Sequence, residues 1–230
     1  NARTQLSQSG HLASGVPGTI AGLFTSHKYA KLSFTELIQP AIDLAEKGFS
    51  ITAAEASSLN GTRTAFLQNS TQPSSLVREK AWKAGDTLVQ KDLANTLKRV
   101  RDLGMKGFYE GETARLIVEE MKRGKGLITY EDLKNYTAKE REAIRFPYKE
   151  YTIITMPLPS SGGLIIQQAL KILESRELAK MGFQTPASVQ LVAEVERRAY
   201  ADRAAFMGDE DYVKVPVKTL VSADYLNERM

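Results

Sequence analysis

The segment 151–216 constrains the fold of this 230-residue chain more than any other part of the sequence. It opens with a β-rich run, 151–156, and continues through a turn of sequence PLPSSGG into two helical patterns. The second pattern has Thr185 as N-cap and Pro186 at its first position, where the fixed φ and the missing N–H of proline are harmless. The segment therefore predicts a strand, a tight turn and two consecutive helices.

Helix signals dominate the rest of the chain. Two capping boxes, in which Ser or Thr precedes Glu by three positions, begin at Ser33 and Thr52. They predict helices over 34–47 and from 53 to about 67. Thr129 opens a shorter helix, and Ser222 caps the last one.

Apolar residues at helical spacing predict two further helices. The first stripe comprises Leu88, Leu93, Leu97 and Val100, and the second comprises Ala114, Ile117, Val118 and Met121. Gly104 is expected to end the first of these helices. The helical period is lost at 143–146 and 151–156, whose β-rich composition predicts a hairpin. The sequence thus predicts an α+β fold that is rich in helices and has a small β element.

Composition narrows the classes of function. The 31 Lys and Arg residues exceed the 27 Asp and Glu residues, but they are spread over separate helices. Nucleic-acid binding requires a clustered basic surface, so none is expected. The longest apolar run is far shorter than the ~20 residues of a membrane-spanning helix, so this segment is not expected to insert into a membrane. The absence of cysteine excludes disulfides, thiolate catalysis and cysteine-ligated zinc.

A series of short motifs runs along the chain from Gly15 onward. They are GVPGTIAG at 15–22, QPAIDLAEKGF at 39–49, KGFYEG at 106–111, GLITYEDL at 126–133, PSSGG at 159–163, AYADR at 199–203 and GDEDYVKVP at 208–216. In these motifs and their order the chain resembles the γ-glutamyltranspeptidase family. Members of this family are N-terminal nucleophile hydrolases that cleave themselves into a large and a small subunit. One departure is Leu158, where the family often has proline.

The resemblance implies that residues 15–230 are the central and C-terminal part of a large subunit within an αββα sandwich. Residues 1–14 are expected to be an N-terminal tail or the edge of an excised piece. The family's Arg for the substrate α-carboxylate lies upstream of the GVPG turn, and here that region is missing or reduced to a tail around Arg3. The nucleophilic Thr that begins the small subunit is expected downstream of Met230. By this resemblance no catalytic residue lies in the chain itself.

The same resemblance implies the activity of the complete protein. It is expected to transfer the γ-glutamyl group of glutathione-like substrates to water or to an amine, without a cofactor or metal. The partner of this chain is expected to be the small subunit of the same precursor, in a periplasmic or extracellular location. An N-terminal Thr activates its hydroxyl with its own α-amine, whose pKa of ~7.7–8.0 suits neutral pH and which only cleavage exposes. This chain alone is therefore expected to be an inactive scaffold.

The turn formed by Ser160, Ser161, Gly162 and Gly163 has two interpretations. In the first, a serine is the nucleophile of a self-contained serine hydrolase. The G-x-S-x-G elbow is missing, however, and the two histidines of the chain are both far away in sequence. In the second, which the pattern favours, one serine caps the following helix and the two glycines let backbones pack closely.

Asp202 shares a helical face with Val195 and Ala199, so its carboxylate is expected to turn toward the core and to pair with Arg198. A catalytic role and a structural ion pair are both open, and the structural role is favoured. The acidic cluster 209–211 lacks the spacing of a calcium-binding EF-hand and is interpreted as a solvated exit from the helix. For the whole chain, a non-catalytic binding or scaffold homologue remains the other alternative.

Overall fold

The computed structural model describes residues 5–230, so the expectation about Arg3 lies outside the described residues. The chain divides into two compact units, the first ending at Lys139 and the second spanning Glu140–Met230. Each unit combines helices with one two-stranded antiparallel sheet, which confirms the helix-rich α+β class. Within residues 5–230, no helix is both long enough and apolar enough to cross a bilayer.

The first unit contains seven helices and two short strands among the described residues. The helices are α1 (Thr19–Ser26), α2 (Phe34–Lys47), α3 (Ala53–Asn69), α4 (Lys91–Leu103), α5 (Lys106–Tyr109), α6 (Gly111–Arg123) and α7 (Tyr130–Lys134). Strands β1 (Phe49–Ser50) and β2 (Thr87–Leu88) pair in antiparallel register. Three short 3₁₀ helices occupy Gln5–Ser7, His11–Ala13 and His27–Tyr29.

The helix starts follow the predicted caps. The side chains of Ser33, Thr52 and Thr129 each accept a hydrogen bond from the backbone N–H three residues later, and the acidic residue there returns a bond to the cap backbone. Leu88 is an exception to the predicted stripe, because it lies in β2 opposite Phe49 and is buried there. Leu88 precedes Leu93 by five positions, which is not a helical step of three or four residues, and α4 begins only at Lys91.

Tyr109 fastens the GVPG turn to the core of the first unit. Its hydroxyl donates to the carbonyl oxygen of Pro17 at 2.7 Å and accepts from the N–H of Ala21 at 3.2 Å. Burial raises the pKa of Tyr109, so the hydroxyl remains a neutral donor. The surrounding buried core comprises Ile20, Ala21, Ile38, Ile42, Val100, Tyr109, Ala114, Ile128 and Leu133.

Gly107 marks the closest approach between α4 and α5. A Cβ atom at Gly107 would lie 2.1 Å from the carbonyl oxygen of Arg99, whereas a Cβ at the exposed Gly61 of α3 would meet nothing within 4 Å. We therefore expect Gly107→Ala to lower the free energy of unfolding by about 2–3 kcal/mol, because the backbones must separate. Gly61→Ala should raise it by about 0.5–1 kcal/mol, since alanine favours a helix interior.

The fluorescence of Trp82, the only tryptophan of the chain, reports unfolding of the first unit in urea. Equal midpoints for the two alanine variants would contradict the close approach.

The second unit begins with a hairpin and continues into four helices within the described residues. Its elements are β3 (Ile144–Tyr148), β4 (Tyr151–Thr155), α8 (Gly162–Glu174), α9 (Pro186–Phe206), α10 (Val217–Leu220) and α11 (Ala223–Glu228), with a 3₁₀ helix at Leu178–Met181. The hairpin is confirmed, but Pro147 and Tyr148 extend β3 and leave only two residues for the turn. Proline is tolerated there because each strand of a two-stranded sheet is an edge strand.

The core of the second unit lies between α8, α9 and α11. Ile172, Val195 and Leu226 form its buried cluster, and Leu164 and Ala199 are buried nearby on the same two long helices. Thr185 caps α9 and Pro186 occupies its first turn, as predicted. The predicted cap at Ser222 is also present, since its hydroxyl accepts from the N–H of Tyr225.

Candidate functional site

The turn before α8 does not use its serines as helix caps. Ser161 precedes the first helical residue, but its backbone has φ −72° and ψ −16° and its side chain makes no capping hydrogen bond. A capping side chain requires the β-region backbone that Ser161 lacks. Its hydroxyl instead accepts a hydrogen bond from Nε of Arg203 on α9 at 2.9 Å. The predicted cap is therefore wrong, and the hydroxyl ties the turn to α9.

This contact does not supply the base that a serine nucleophile requires. A guanidinium is always protonated and has no acceptor, so Arg203 cannot take a proton from Ser161. Both histidines belong to the first unit and have other partners. His11 Nε2 lies 2.7 Å from Oε1 of Glu120, and His27 Nε2 lies 3.0 Å from the carbonyl oxygen of Leu32.

The two glycines of the turn differ in the space available for a side chain. A Cβ at Gly163 would lie 2.0 Å from the carbonyl oxygen of Met156, so glycine is required for α8 to begin against the end of the hairpin. A Cβ at Gly162 would have the hydroxyl of Ser160 as its nearest neighbour, at an ordinary 3.7 Å. Close backbone packing is therefore a property of Gly163 alone.

Asp202 is the hub of a buried hydrogen-bond network and is only 3% exposed. Its carboxylate accepts from Nε2 of Gln168 at 2.9 Å, from the hydroxyl of Tyr225 at 2.9 Å and from the guanidinium of Arg229 at 3.0 Å. The expected burial of Asp202 is confirmed, but its expected partner is wrong. Arg198 points along its own helix to Glu194 and donates to the carbonyl oxygen of Arg229.

One residue of the sequence, Gln168, indicates this network, but the helical pattern alone did not identify it. Gln168 stands between Leu164 and Ile172 on the apolar face of α8, where a polar side chain must find buried partners. The other two partners, Tyr225 and Arg229, lie in the C-terminal part of the chain, with no spacing that links them to Asp202. Burial and then the hydrogen bond to Asp202 raise the pKa of Tyr225, which keeps its hydroxyl a donor.

The acidic cluster after α9 is held by a basic residue. Arg141 donates to Asp211 at 2.7 Å and approaches Asp209 at 3.4 Å. This pairing replaces the freely solvated exit expected from the sequence. Among the residues that the structure describes, no group of three His, Cys, Asp or Glu side chains is arranged to hold a metal ion.

A cavity of about 540 Å³ lies in the first unit between residues 10–14, α3 and α6. Glu120 closes one side of it and accepts hydrogen bonds from Thr71, His11 and Arg123. The imidazole of His11 lies against Gly124, where a Cβ would be 2.1 Å from the ring. This contact explains a glycine at the end of α6 that has an ordinary negative φ.

The Glu120 cluster should make the first unit sensitive to acid. Burial acts to raise the pKa of Glu120, but hydrogen bonds from Thr71, His11 and Arg123 outweigh it and lower the pKa to about 2. A carboxylate with a lowered pKa stabilises the fold above its unfolded value near 4.5 and loses that contribution as the pH falls through about 2.

We expect Glu120→Gln to cost about 1–2 kcal/mol at pH 7 and clearly less at pH 3. Urea titrations followed by Trp82 fluorescence measure both values. A cost that does not change between the two pH values would contradict the assignment.

Comparison with known proteins identifies relatives over almost the whole chain. Residues 1–230 match the profile of the Gamma-glutamyltranspeptidase family. The glutathione hydrolase proenzyme of Escherichia coli K12 is 40% identical over 228 residues, which are 98% of this chain and 39% of that protein. The acylase ACY 1 proenzyme of Pseudomonas sp. strain SE83 is 36% identical over 222 residues, 96% of this chain and 40% of that protein.

The solved structures agree in fold. The crystal structure of Helicobacter pylori γ-glutamyltranspeptidase matches with a TM-score of 0.91 and 40% identity, over 100% of this chain and 66% of that chain. The present chain spans about two fifths of the length of the two proenzymes. The chain therefore belongs to the γ-glutamyltranspeptidase family of N-terminal nucleophile hydrolases, as part of the large subunit.

Proposed function

We propose that this chain is a scaffold portion of an enzyme that hydrolyses or transfers the γ-glutamyl group of glutathione-like substrates. The nucleophile is a Thr downstream of Met230, freed when the full-length precursor cleaves itself, and the chain alone is inactive. The observation that carries the proposal is the match of the entire chain, at a TM-score of 0.91, to a γ-glutamyltranspeptidase. Relatives named as proenzymes support a precursor that is cut into subunits.

The chemistry of the described residues is consistent with a nucleophile supplied from elsewhere. Ser161 is bonded to a guanidinium, and the carboxylate of Asp202 is enclosed by three donors. An enclosed carboxylate with every contact made by a donor stabilises structure, but it cannot reach a substrate. A scaffold role fits both environments.

The hairpin supplies a surface for the proposed small subunit. Ile154 of β4 and Met156, two positions later, lie on the same face of the hairpin and are 57% and 64% exposed. Phe146 of β3 lies on the opposite face and is buried. A two-stranded hairpin is marginal by itself, and both of its edges have unpaired backbone groups. We propose that strands of the small subunit extend this sheet and cover its apolar face.

The full-length precursor tests the proposal. Purified precursor should give two bands on a denaturing gel and release a chromogenic amine from its γ-glutamyl derivative. Replacing the first residue of the smaller band by alanine should abolish both, because the nucleophile and its α-amine belong to that residue. This chain alone should show no turnover.

Other outcomes identify the alternatives. A precursor that stays uncut and inactive, with no Thr a few tens of residues beyond Met230, would favour the non-catalytic scaffold homologue. Turnover by this chain alone that Ser160→Ala or Ser161→Ala abolishes would favour the serine hydrolase. A periplasmic or extracellular location is likewise proposed by family membership, and fractionation of cells that express the full-length protein tests it.

A further inference from the structure

The C-terminal segment 217–230 is fastened to the second unit by buried polar contacts. Its helices α10 and α11 have four and six residues, which is too short for either to be stable alone. Nε2 of Gln168 donates to the carbonyl oxygen of Leu220, and Nζ of Lys171 donates to that of Val221, both at 2.9 Å. The segment therefore remains ordered only while α8 and α9 hold it.

Asp202 connects these contacts into one hydrogen-bond network. It bonds Gln168 on α8 and both Tyr225 and Arg229 in the C-terminal segment. The Gln168 amide must present nitrogen, because its neighbours Asp202 and the carbonyl of Leu220 are both acceptors. Without the carboxylate, Gln168 loses one of the two acceptors that orient its amide. The side chains of Tyr225 and Arg229 lose their shared acceptor at the same time.

Two polar atoms of the same network make no hydrogen bond within the part of the chain that the structure describes. Oε1 of Gln168 and Nε of Arg229 are buried and have no hydrogen-bond partner within residues 5–230. A buried polar atom without a partner is costly, so such a network depends strongly on the bonds that it does make. Apolar contacts of Leu226 with Ile172 and Val195, and the hydrogen bond from Arg198 to the carbonyl oxygen of Arg229, also attach this segment.

We infer that Asp202 is a positioning residue for the self-cleavage of the precursor, an inference that rests on the proposed function. By fixing segment 217–230, the carboxylate fixes the place and direction in which the polypeptide leaves Met230 toward the bond that is cut. In that reaction the hydroxyl oxygen of the downstream Thr forms a bond to the preceding carbonyl carbon, and the peptide C–N bond at that carbon breaks. The hydroxyl proton passes to the leaving nitrogen, which becomes the free α-amine. One water molecule then cleaves the resulting ester to a carboxylate and the restored hydroxyl. Intramolecular reactions of this kind are fast only when the reacting groups are held in place.

Three variants of the full-length precursor separate positioning from general damage. Asp202→Asn keeps the shape but removes the charge, Tyr225→Phe removes one hydrogen bond, and Glu196→Ala changes an exposed carboxylate on the same helix as a control. Freeing the segment lengthens the linker and alone slows closure about twofold, and the lost direction adds to this. We expect Asp202→Asn to mature at least threefold more slowly than wild type and Tyr225→Phe to be slowed in the same direction.

The measurements are the rate of band conversion and, separately, the turnover per mature molecule with a chromogenic γ-glutamyl amide. Positioning predicts slow maturation, turnover per mature molecule within twofold of wild type, and an unaffected control. Wild-type maturation of both variants would overturn the inference, as would turnover that falls by the same factor as maturation. If Asp202→Asn does not fold, Tyr225→Phe decides alone. A wild-type precursor that is never cut instead refutes the proposed function.

Discussion

Gly163→Ala is expected to lower the free energy of unfolding of the second unit by about 3 kcal/mol. The new Cβ would lie 2.0 Å from the carbonyl oxygen of Met156 and 3.1 Å from Cγ2 of Thr155. The obstacle is backbone, which cannot rotate away as a flexible side chain can. Either α8 must begin later or the end of the hairpin must move.

Gly162→Ala is the matched control, since its Cβ would have 3.7 Å of clearance. It should be neutral or raise stability by about 0.4–1 kcal/mol, because alanine restricts the unfolded chain. Trp82 belongs to the first unit, so amide hydrogen exchange of β4 and α8 is the appropriate measurement. Similar exchange protection in both variants would show that the contact at Gly163 is not tight.

Asp202→Ala should lower the free energy of unfolding of the second unit by about 2–3 kcal/mol. Removing one partner of a buried ion pair usually costs about 3–5 kcal/mol, because the other charge stays buried without compensation. Arg229 is 35% exposed here, so solvent screens part of this penalty and the lower figure applies. The loss should appear first as faster hydrogen exchange in α11.

Asp202→Asn should cost less than Asp202→Ala, because the amide oxygen can still accept from Tyr225. Glu196→Ala on the exposed side of α9 should change stability by no more than about 0.5 kcal/mol. Equal exchange protection of α11 in the alanine variant and in wild type would contradict the hub role of Asp202.

Local chemistry explains which features were predictable. The caps at Ser33, Thr52 and Thr185 depend on bonds between residues three positions apart, so the sequence contains both partners at a fixed spacing. The hairpin and the α+β class follow from the change in hydrophobic period. The family motifs gave the membership that comparison with known proteins then confirmed.

The incorrect predictions concern contacts between elements. One serine of the turn was expected to cap α8, but the hydroxyl of Ser161 accepts a hydrogen bond from Arg203 of α9 instead. Asp202 was expected to pair with Arg198, one turn back along its helix. Its observed partners lie in α8 and in the C-terminal segment. In both cases the observed partner belongs to another element and not to the same helix.

Residues close together in sequence account for the capped helix starts, and ordered motifs account for the family, because both can be recognised without knowing the packing. The packing was needed to show which of two adjacent glycines must lack a side chain and which donors surround the buried carboxylate. The donors to Asp202 come from positions 168, 225 and 229, and Gly163 meets Met156 only because the turn brings the start of α8 against the end of the hairpin. These contacts exist only after the helices have packed, since no residue spacing encodes them.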